Sequence, residues 1–211
     1  MNILDKIVFD KRKEVELRKA LIPTSQLEAS VLFNRPTHNL SIALRTSSSS
    51  IIAEHKRRSP SKAEINYKLN VQDVAVGYEN AGVCGMSVLT DGKYFGGSLD
   101  DLLIARSSCQ LPLLRKEFVI DQYQILEAKA YGADVILLIA AVLSRDEIKQ
   151  FSELAKQLNL DVLLDKQGAF SGAYHIYAPK DIRIGLIVGA IMRLKLMEQT
   201  DIYRHRQAYY V

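Results

Sequence analysis

From residue 51 onward the chain alternates two kinds of segment. Short apolar runs stand at Ile51–Ala53, Met86–Leu89, Pro112–Leu114, Val135–Ile139 and Val162–Leu164. They do not alternate apolar with polar residues, so they read as strands buried on both faces, the signature of a parallel sheet covered by helices. Between them Val71–Asn80, Leu99–Cys109, Asp121–Tyr131 and Ser144–Leu158 have helical spacing. Val74 and Tyr78, four residues apart, mark one buried face. The ends carry matching chemistry: Ser98 and Asp121 as N-caps, Ser144 with Glu147 as a capping box, Gly132 as a stop. Strand–helix repetition of this kind predicts an α/β fold with a parallel sheet. An open doubly wound sheet and a closed (β/α) barrel fit the pattern equally well.

The flanks are less regular. Asn2–Leu21 reads as an amphipathic helix, with Leu4, Val8, Lys11 and Val15 on one side, Ile3 and Ile7 widening it, and Pro23 ending it. It precedes the first core strand and so predicts an element added to the body. Around Ile42–Leu44, between 34–39 and the serines 47–50, no firm element is predicted. After Asp165 the rhythm fails. Gln167–Pro179 has no clear period, Ile182–Ile187 reads as one further strand ending at Gly189, and Ala190–Arg204 as a last helix. With that strand the pattern still falls short of the eight strands of a closed barrel. Open edges of that kind predict self-association.

Composition narrows the classes. A chain of 211 residues with 48% hydrophobic content can bury one core, which predicts a single domain over 1–211: an extension at 1–50, regular units at 51–165 and a divergent part at 166–211. The net charge of +4 suits anionic small molecules, and no aromatic-interleaved basic stripe suggests nucleic acid. Cys84 and Cys109 read as free, buried thiols in a reducing compartment. The longest apolar run, Val135–Leu143, is too short to span a bilayer, and no signal-peptide pattern opens the sequence. The expectation is a soluble cytoplasmic protein without a membrane partner. No GxGxxG follows the first strand and no GxxxxGK[ST] occurs, so a nucleotide fold has little support. His175 and His205 are isolated, and no metal-ligand spacing is seen.

The candidate chemistry starts at IIAEHKRRSP, residues 51–60. An apolar strand that ends abruptly in charge points its carboxyl end at solvent or ligand, and anionic metabolites bind at such ends in parallel α/β folds. Alternation puts Glu54 and Lys56 on one face, His55 and Arg57 on the other.

Four stretches carry a resemblance: IIAEHKRRSPSK at 51–62, MSVLTDGKYFGGSLDDL at 86–102, LPLLRKEFVIDQYQILEAKAYGADVILLI at 111–139 and, more loosely, LNLDVLLD at 158–165. In these the chain resembles the indole-3-glycerol phosphate synthase family, (β/α)8-barrel lyases of tryptophan biosynthesis. The likeness is specific over 51–139, weak to 165 and essentially lost beyond. The leading helix fits the family's extra N-terminal segment. The resemblance implies a TIM-barrel-type fold, incomplete or altered after the fifth strand. It implies conversion of 1-(2-carboxyphenylamino)-1-deoxyribulose 5-phosphate to indole-3-glycerol phosphate, carbon dioxide and water, with no organic cofactor and no metal. By the same resemblance Lys116 is the general acid for ring closure. Lys56 grips the anionic substrate, Glu54 takes part in proton handling, and Ser59 and Pro60 lie beside the anthranilate part. Phe95 and Phe118 are aromatic walls. Asp165 stands where the family places a glutamate, the base of the dehydration step. Gly189, in VGAIMR at 188–193, matches faintly a glycine near phosphate. No counterpart of the family's asparagine and arginine after the sixth strand is found, nor of its serine and glycines after the seventh. The alternative is a truncated or degenerate barrel without turnover, a phosphate-metabolite-binding or inert remnant.

Overall fold

A computed structural model describes residues 2–47 and 50–165, together with the backbone of 175–176 and 187–188. The expected strands form: β1 (Ile52–His55), β2 (Gly85–Leu89), β3 (Leu113–Lys116), β4 (Val135–Ile139) and β5 (Asp161–Asp165). Each is parallel to the next in register. β1, β3 and β5 run further into charged residues than their apolar runs suggest, because Glu54, His55, Arg115 and Asp165 are buried. Two short strands complete the sheet. β6 (His175–Ile176) lies antiparallel to β5, and β7 (Ile187–Val188) lies parallel to β1. The order is β6-β5-β4-β3-β2-β1-β7, so the sheet is open among the described residues. A barrel would continue with a parallel strand after β5. The antiparallel β6 is where the fold departs from one, as the loss of pattern after Asp165 predicts. Of the expected late elements, Ile187 falls in β7; the remainder of Ile182–Ile187, Gly189 and the helix at Ala190–Arg204 lie outside the described residues.

The helices are α1 (Ile3–Leu21), α2 (Thr24–Glu28), α3 (Leu40–Thr46), α4 (Val71–Asn80), α5 (Gly92–Phe95), α6 (Leu99–Ser108), α7 (Tyr123–Ala130) and α8 (Arg145–Gln157). The caps predicted at Ser98 and Ser144 are present, whereas α7 has Gln122 at its N-cap without a side-chain bond, and Asp121 sits one residue earlier in the turn that leads into it. The Ser98 side chain accepts from Asp101 N, Ser144 and Glu147 form a capping box, and Asp121 Oδ1 accepts from Tyr123 N at 2.8 Å. Gly132 closes α7 at φ +86°, a conformation other residues rarely adopt.

Alternation divides the sheet into two faces. Ala53, Met86, Val88, Leu113, Ile136, Leu138 and Leu164 pack under α4, α6, α7 and α8 in the larger core. Ile52, Leu114, Val135, Leu137, Ile139 and Leu163 form the opposite face, covered by Ile7 of α1 and by Leu40 and Leu44 of α3. The N-terminal segment thus lies on the inner face of the sheet. Helix α3 was not predicted, since seven residues give little period; its start is fixed by Asp161, whose Oδ2 accepts from Leu40 N at 2.9 Å and Ser41 N at 3.2 Å. The buried side of α1 is Ile7, Lys11 and Val15, all on the expected side, with Leu4 and Val8 half-buried and Ile3 exposed.

Candidate active site

Glu54, Lys56 and Lys116 meet at the carboxyl ends of β1 and β3, on the inner face. The register explains it. Glu54 is level with Ser87 of β2, and Ser87 with Leu114 of β3; the next inner position on β3 is Lys116. Lys116 Nζ donates to Glu54 Oε2 at 2.5 Å, and Lys56 Nζ to Glu54 Oε1 at 2.8 Å. The carboxylate is 3% exposed, whereas the lysine side chains keep 18% and 27%. Glu54 is therefore the floor and the two ammonium groups form the accessible surface. Burial alone raises the Glu54 pKa, but Lys116 and Lys56 outweigh it and bring it down to about 2. At neutral pH the group is one anion between two cations, with a net positive charge facing outward.

The aromatic residues follow β2 and β3 and pack into the inner-face core. Phe95 ends α5 and Phe118 follows β3; their ring centroids are 6.1 Å apart at 36°. Asp91 Oδ1 caps α5 by accepting from Tyr94 N at 2.6 Å and Phe95 N at 3.3 Å. The chain then turns sharply back on β2: a Cβ at Gly97 would lie 2.0 Å from the Leu89 carbonyl oxygen, so only glycine fits. Ser59 is half-buried and Pro60 exposed in a tight loop, where Ser59 N donates to Lys62 O at 2.8 Å and Lys62 N returns a bond to Ser59 O at 3.1 Å. That loop is tied to the one after β2. Arg57 grips both carboxylate oxygens of Asp101 and donates to Gly96 O at 3.1 Å, and Arg58 donates to Gly92 O at 2.8 Å.

A family model described as indole-3-glycerol phosphate synthase matches residues 4–170. The chain belongs to the indole-3-glycerol phosphate synthase family. Relatives of that name include one from Bacteroides thetaiotaomicron, 42% identical over 168 residues, covering 80% of this chain and 65% of the relative. One from Paenarthrobacter aurescens is 40% identical over 170 residues, covering 78% and 62%. One from Neisseria meningitidis is 39% identical over 168 residues, covering 78% and 65%. The matched stretch is thus less than two thirds of the length of these synthases.

Of the other positions singled out by likeness to the synthases, Asp165 ends β5 on the inner face, buried and level with Ile139. With the register continued along β3 and β4, Lys116 is level with Leu137 and Leu163. Asp165 therefore stands one pleat repeat nearer the rim and two strands away, on the order of 10 Å across the sheet. Gly189 lies outside the described residues. No group of three or more His, Cys, Asp or Glu side chains is arranged to hold a metal ion among the described residues, and no helix among them is long and apolar enough to cross a membrane. Cys84 and Cys109 are both buried.

Sequence reasoning missed the polar groups behind the site. Lys11 was placed on an apolar stripe without a partner; it is 2% exposed and reaches Asp91 at 2.9 Å and Glu117 at 3.1 Å. Arg115 points into the helix layer and binds Thr90 Oγ1 at 3.1 Å and Glu127 Oε2 at 2.6 Å. The one available signal was a lysine at a core position of α1.

His55 lies behind Glu54, on the helix side with Arg57. It is buried, and neither ring nitrogen has a hydrogen-bond partner among the described residues. Burial first, then the Arg57 charge, push its pKa down to about 4, against weaker opposing effects of Asp101 and Glu54. An unfolded histidine titrates near pH 6.5, so the unfolded state takes up the proton first and stability falls as pH drops from about 6.5 towards 4. The expected loss is on the order of 2 kcal/mol by pH 5. Urea midpoints at pH 7.5 and 5 test this: His55→Leu is expected to lose less stability over the interval than wild type, and an equal loss counts against the assignment.

Proposed function

We propose that the chain acts as an indole-3-glycerol phosphate synthase, converting 1-(2-carboxyphenylamino)-1-deoxyribulose 5-phosphate to indole-3-glycerol phosphate with loss of carbon dioxide and water. The observation that carries this is the pair of ammonium groups on one buried carboxylate, at the carboxyl end of a parallel sheet and beside two aromatic rings. Family membership supplies the substrate class. The substrate carries a carboxylate and a phosphate, and a net positive mouth raises its local concentration and steers its approach.

In this reading Lys56 binds the substrate carboxylate, and the rings of Phe95 and Phe118 flank the anthranilate ring and exclude water. Ring closure onto the ketone carbon builds negative charge on its oxygen. The Lys116 ammonium stabilises that charge and donates the proton. Glu54 pairs with both lysines and holds Lys116 in position. Carbon dioxide leaves from the ring carbon that formed the new bond, and its bonding pair restores the aromatic ring. Lys116, reprotonated from solvent, gives a second proton to the hydroxyl as it departs as water, and Asp165 takes the last ring proton as the indole forms and passes it to solvent. The balance is one substrate carboxylate and one proton in, and indole-3-glycerol phosphate, carbon dioxide and water out.

Asp165 is one methylene shorter than the glutamate of the family pattern. A base misplaced by about 1 Å can cost on the order of 100-fold in rate. Asp165→Glu is therefore expected to raise kcat with little change in KM, measured by indole fluorescence. An unchanged or lower kcat in a variant that remains folded removes Asp165 from the base role.

A second reading rests on β6, which runs antiparallel to β5 where a barrel continues in parallel. It makes the chain a remnant that binds phosphorylated metabolites without turnover. Addition of 1-(2-carboxyphenylamino)-1-deoxyribulose 5-phosphate decides between the two. Growth of indole fluorescence, with indole-3-glycerol phosphate identified as product, supports the synthase. No product from a folded, monodisperse sample at high concentration supports the remnant.

A further inference from the structure

The N-terminal helix reaches the candidate site through one side chain. Lys11 of α1 enters a region from which water is excluded, and a charge there is tolerated only if paired. Its ammonium meets Glu14 at 2.7 Å, Asp91 at 2.9 Å and Glu117 at 3.1 Å. Glu14 is half-buried, whereas Asp91 and Glu117 are both buried. Burial works against the Lys11 charge, but Glu117, Asp91 and Glu14 more than offset it, and the amine stays protonated.

Both buried acids hold the backbone that carries the aromatic wall. Asp91 accepts from Tyr94 N and Phe95 N. Glu117 Oε1 accepts from Phe118 N at 2.9 Å, and its Oε2 accepts from Thr90 Oγ1 at 2.9 Å. Thr90 precedes Asp91, so the segments after β2 and β3 close a circuit whose shared cation is Lys11. Asp10 adds a second tie by accepting from Lys93 Nζ and from the Tyr94 hydroxyl.

We infer that Lys11 is a positioning residue of the site: it bridges the segments after β2 and β3 and so fixes Phe95 against Phe118 and the backbone beside Lys116. The inference rests on the reading of these three residues as the site. Without the ammonium, two buried carboxylates face each other with their shared counter-ion gone, and mutual repulsion drives the two segments apart.

Amide hydrogen exchange on the full chain tests this. In Lys11→Met, exchange at Tyr94, Phe95 and Phe118 is expected to quicken by ~10-fold or more, with Ile136 and Leu138 of β4 unchanged, because the opening is local. Lys11→Arg keeps the charge and is expected to restore protection. No change at the three amides, or equal acceleration at all five, overturns the inference. If Lys11→Met does not fold, Asp91→Asn tests one arm: Tyr94 and Phe95 quicken while Phe118, still held by Glu117 and Lys11, does not, and a uniform response overturns the inference. The same variants are assayed with 1-(2-carboxyphenylamino)-1-deoxyribulose 5-phosphate. If wild type turns over, Lys11→Met is expected to raise KM and Lys11→Arg to recover it; an unchanged KM defeats the positioning role while leaving the synthase reading intact. If wild type forms no product, the synthase reading fails by itself, and exchange alone decides Lys11.

Discussion

On the proposed synthase reading, replacing Lys116 by methionine is expected to slow formation of indole-3-glycerol phosphate by ~10²–10⁴-fold, the range for loss of a positioned general acid. The loss should fall mainly on kcat, because the proton is donated in the transition state and not on binding. Methionine keeps the unbranched apolar stem and lacks only the terminal ammonium, and at 18% exposure the position tolerates such a stem at the rim. Lys116→Arg should not rescue the rate: a guanidinium keeps the charge but its proton is far too tightly held to be given up. Glu54 supplies an independent readout. Lys116 is the stronger of the two cations that depress its pKa, so in Lys116→Met the Glu54 carboxyl is expected to titrate higher than its wild-type value of about 2. Steady-state kinetics and an NMR titration check both points. A Lys116→Met variant with more than about a tenth of wild-type kcat would sink the assignment of Lys116 as the acid.

The largest loss of stability is expected far from that mouth, at Asp134. This residue directly precedes β4 and is fully buried. Its Oδ2 accepts from Leu113 N at 2.9 Å and Arg106 at 2.9 Å; its Oδ1 accepts from His38 N at 2.8 Å and Arg35 at 2.7 Å. One carboxylate thus joins the start of β3, the end of α6 and the chain leading into α3. Asp134→Ala strands the buried Arg106 guanidinium and two backbone donors together. Breaking a buried pair on one side costs about 3–5 kcal/mol, a large part of the roughly 5–15 kcal/mol that holds a domain folded. A large drop in urea midpoint and in soluble yield is expected. Asp134→Asn, which keeps one acceptor oxygen but turns the other into a donor and loses the charge, should fall between. A shift of less than about 1 kcal/mol in Asp134→Ala means the network is replaceable.

The elements read most accurately from sequence were those whose local signals agree. Val135–Ile139 is an apolar run flanked by Asp134 and small residues, and it is β4 to the residue. Val71–Asn80 has Asn70 as a cap and a buried stripe at Val71, Val74, Ala75 and Tyr78, and it is α4 to the residue. The short helices α2 and α3 have neither a period nor enough length to show one. Leu40 and Leu44 are held by the inner face of the sheet, and the α3 N-terminus by Asp161 from more than a hundred residues away. On α1 the expected stripe holds at Lys11 and Val15, and the residue that widens it, Ile7, is buried more deeply than Leu4 or Val8.

The sequence by itself determined the alternation of β1 to β5 with α4, α6, α7 and α8, the caps at Ser98 and Ser144, and which residues of IIAEHKRRSP share a face. Those follow from bond geometry and side-chain periodicity within a few neighbouring residues. Only the tertiary structure decided that Glu54 and Lys116, 62 positions apart, form one ion pair, that His55 is sealed behind them, and that Lys11 is the counter-ion of Asp91 and Glu117. The reason is physical: a charge in a sequence does not reveal whether water or another side chain will neutralise it, because desolvation is set by what the fold packs around it.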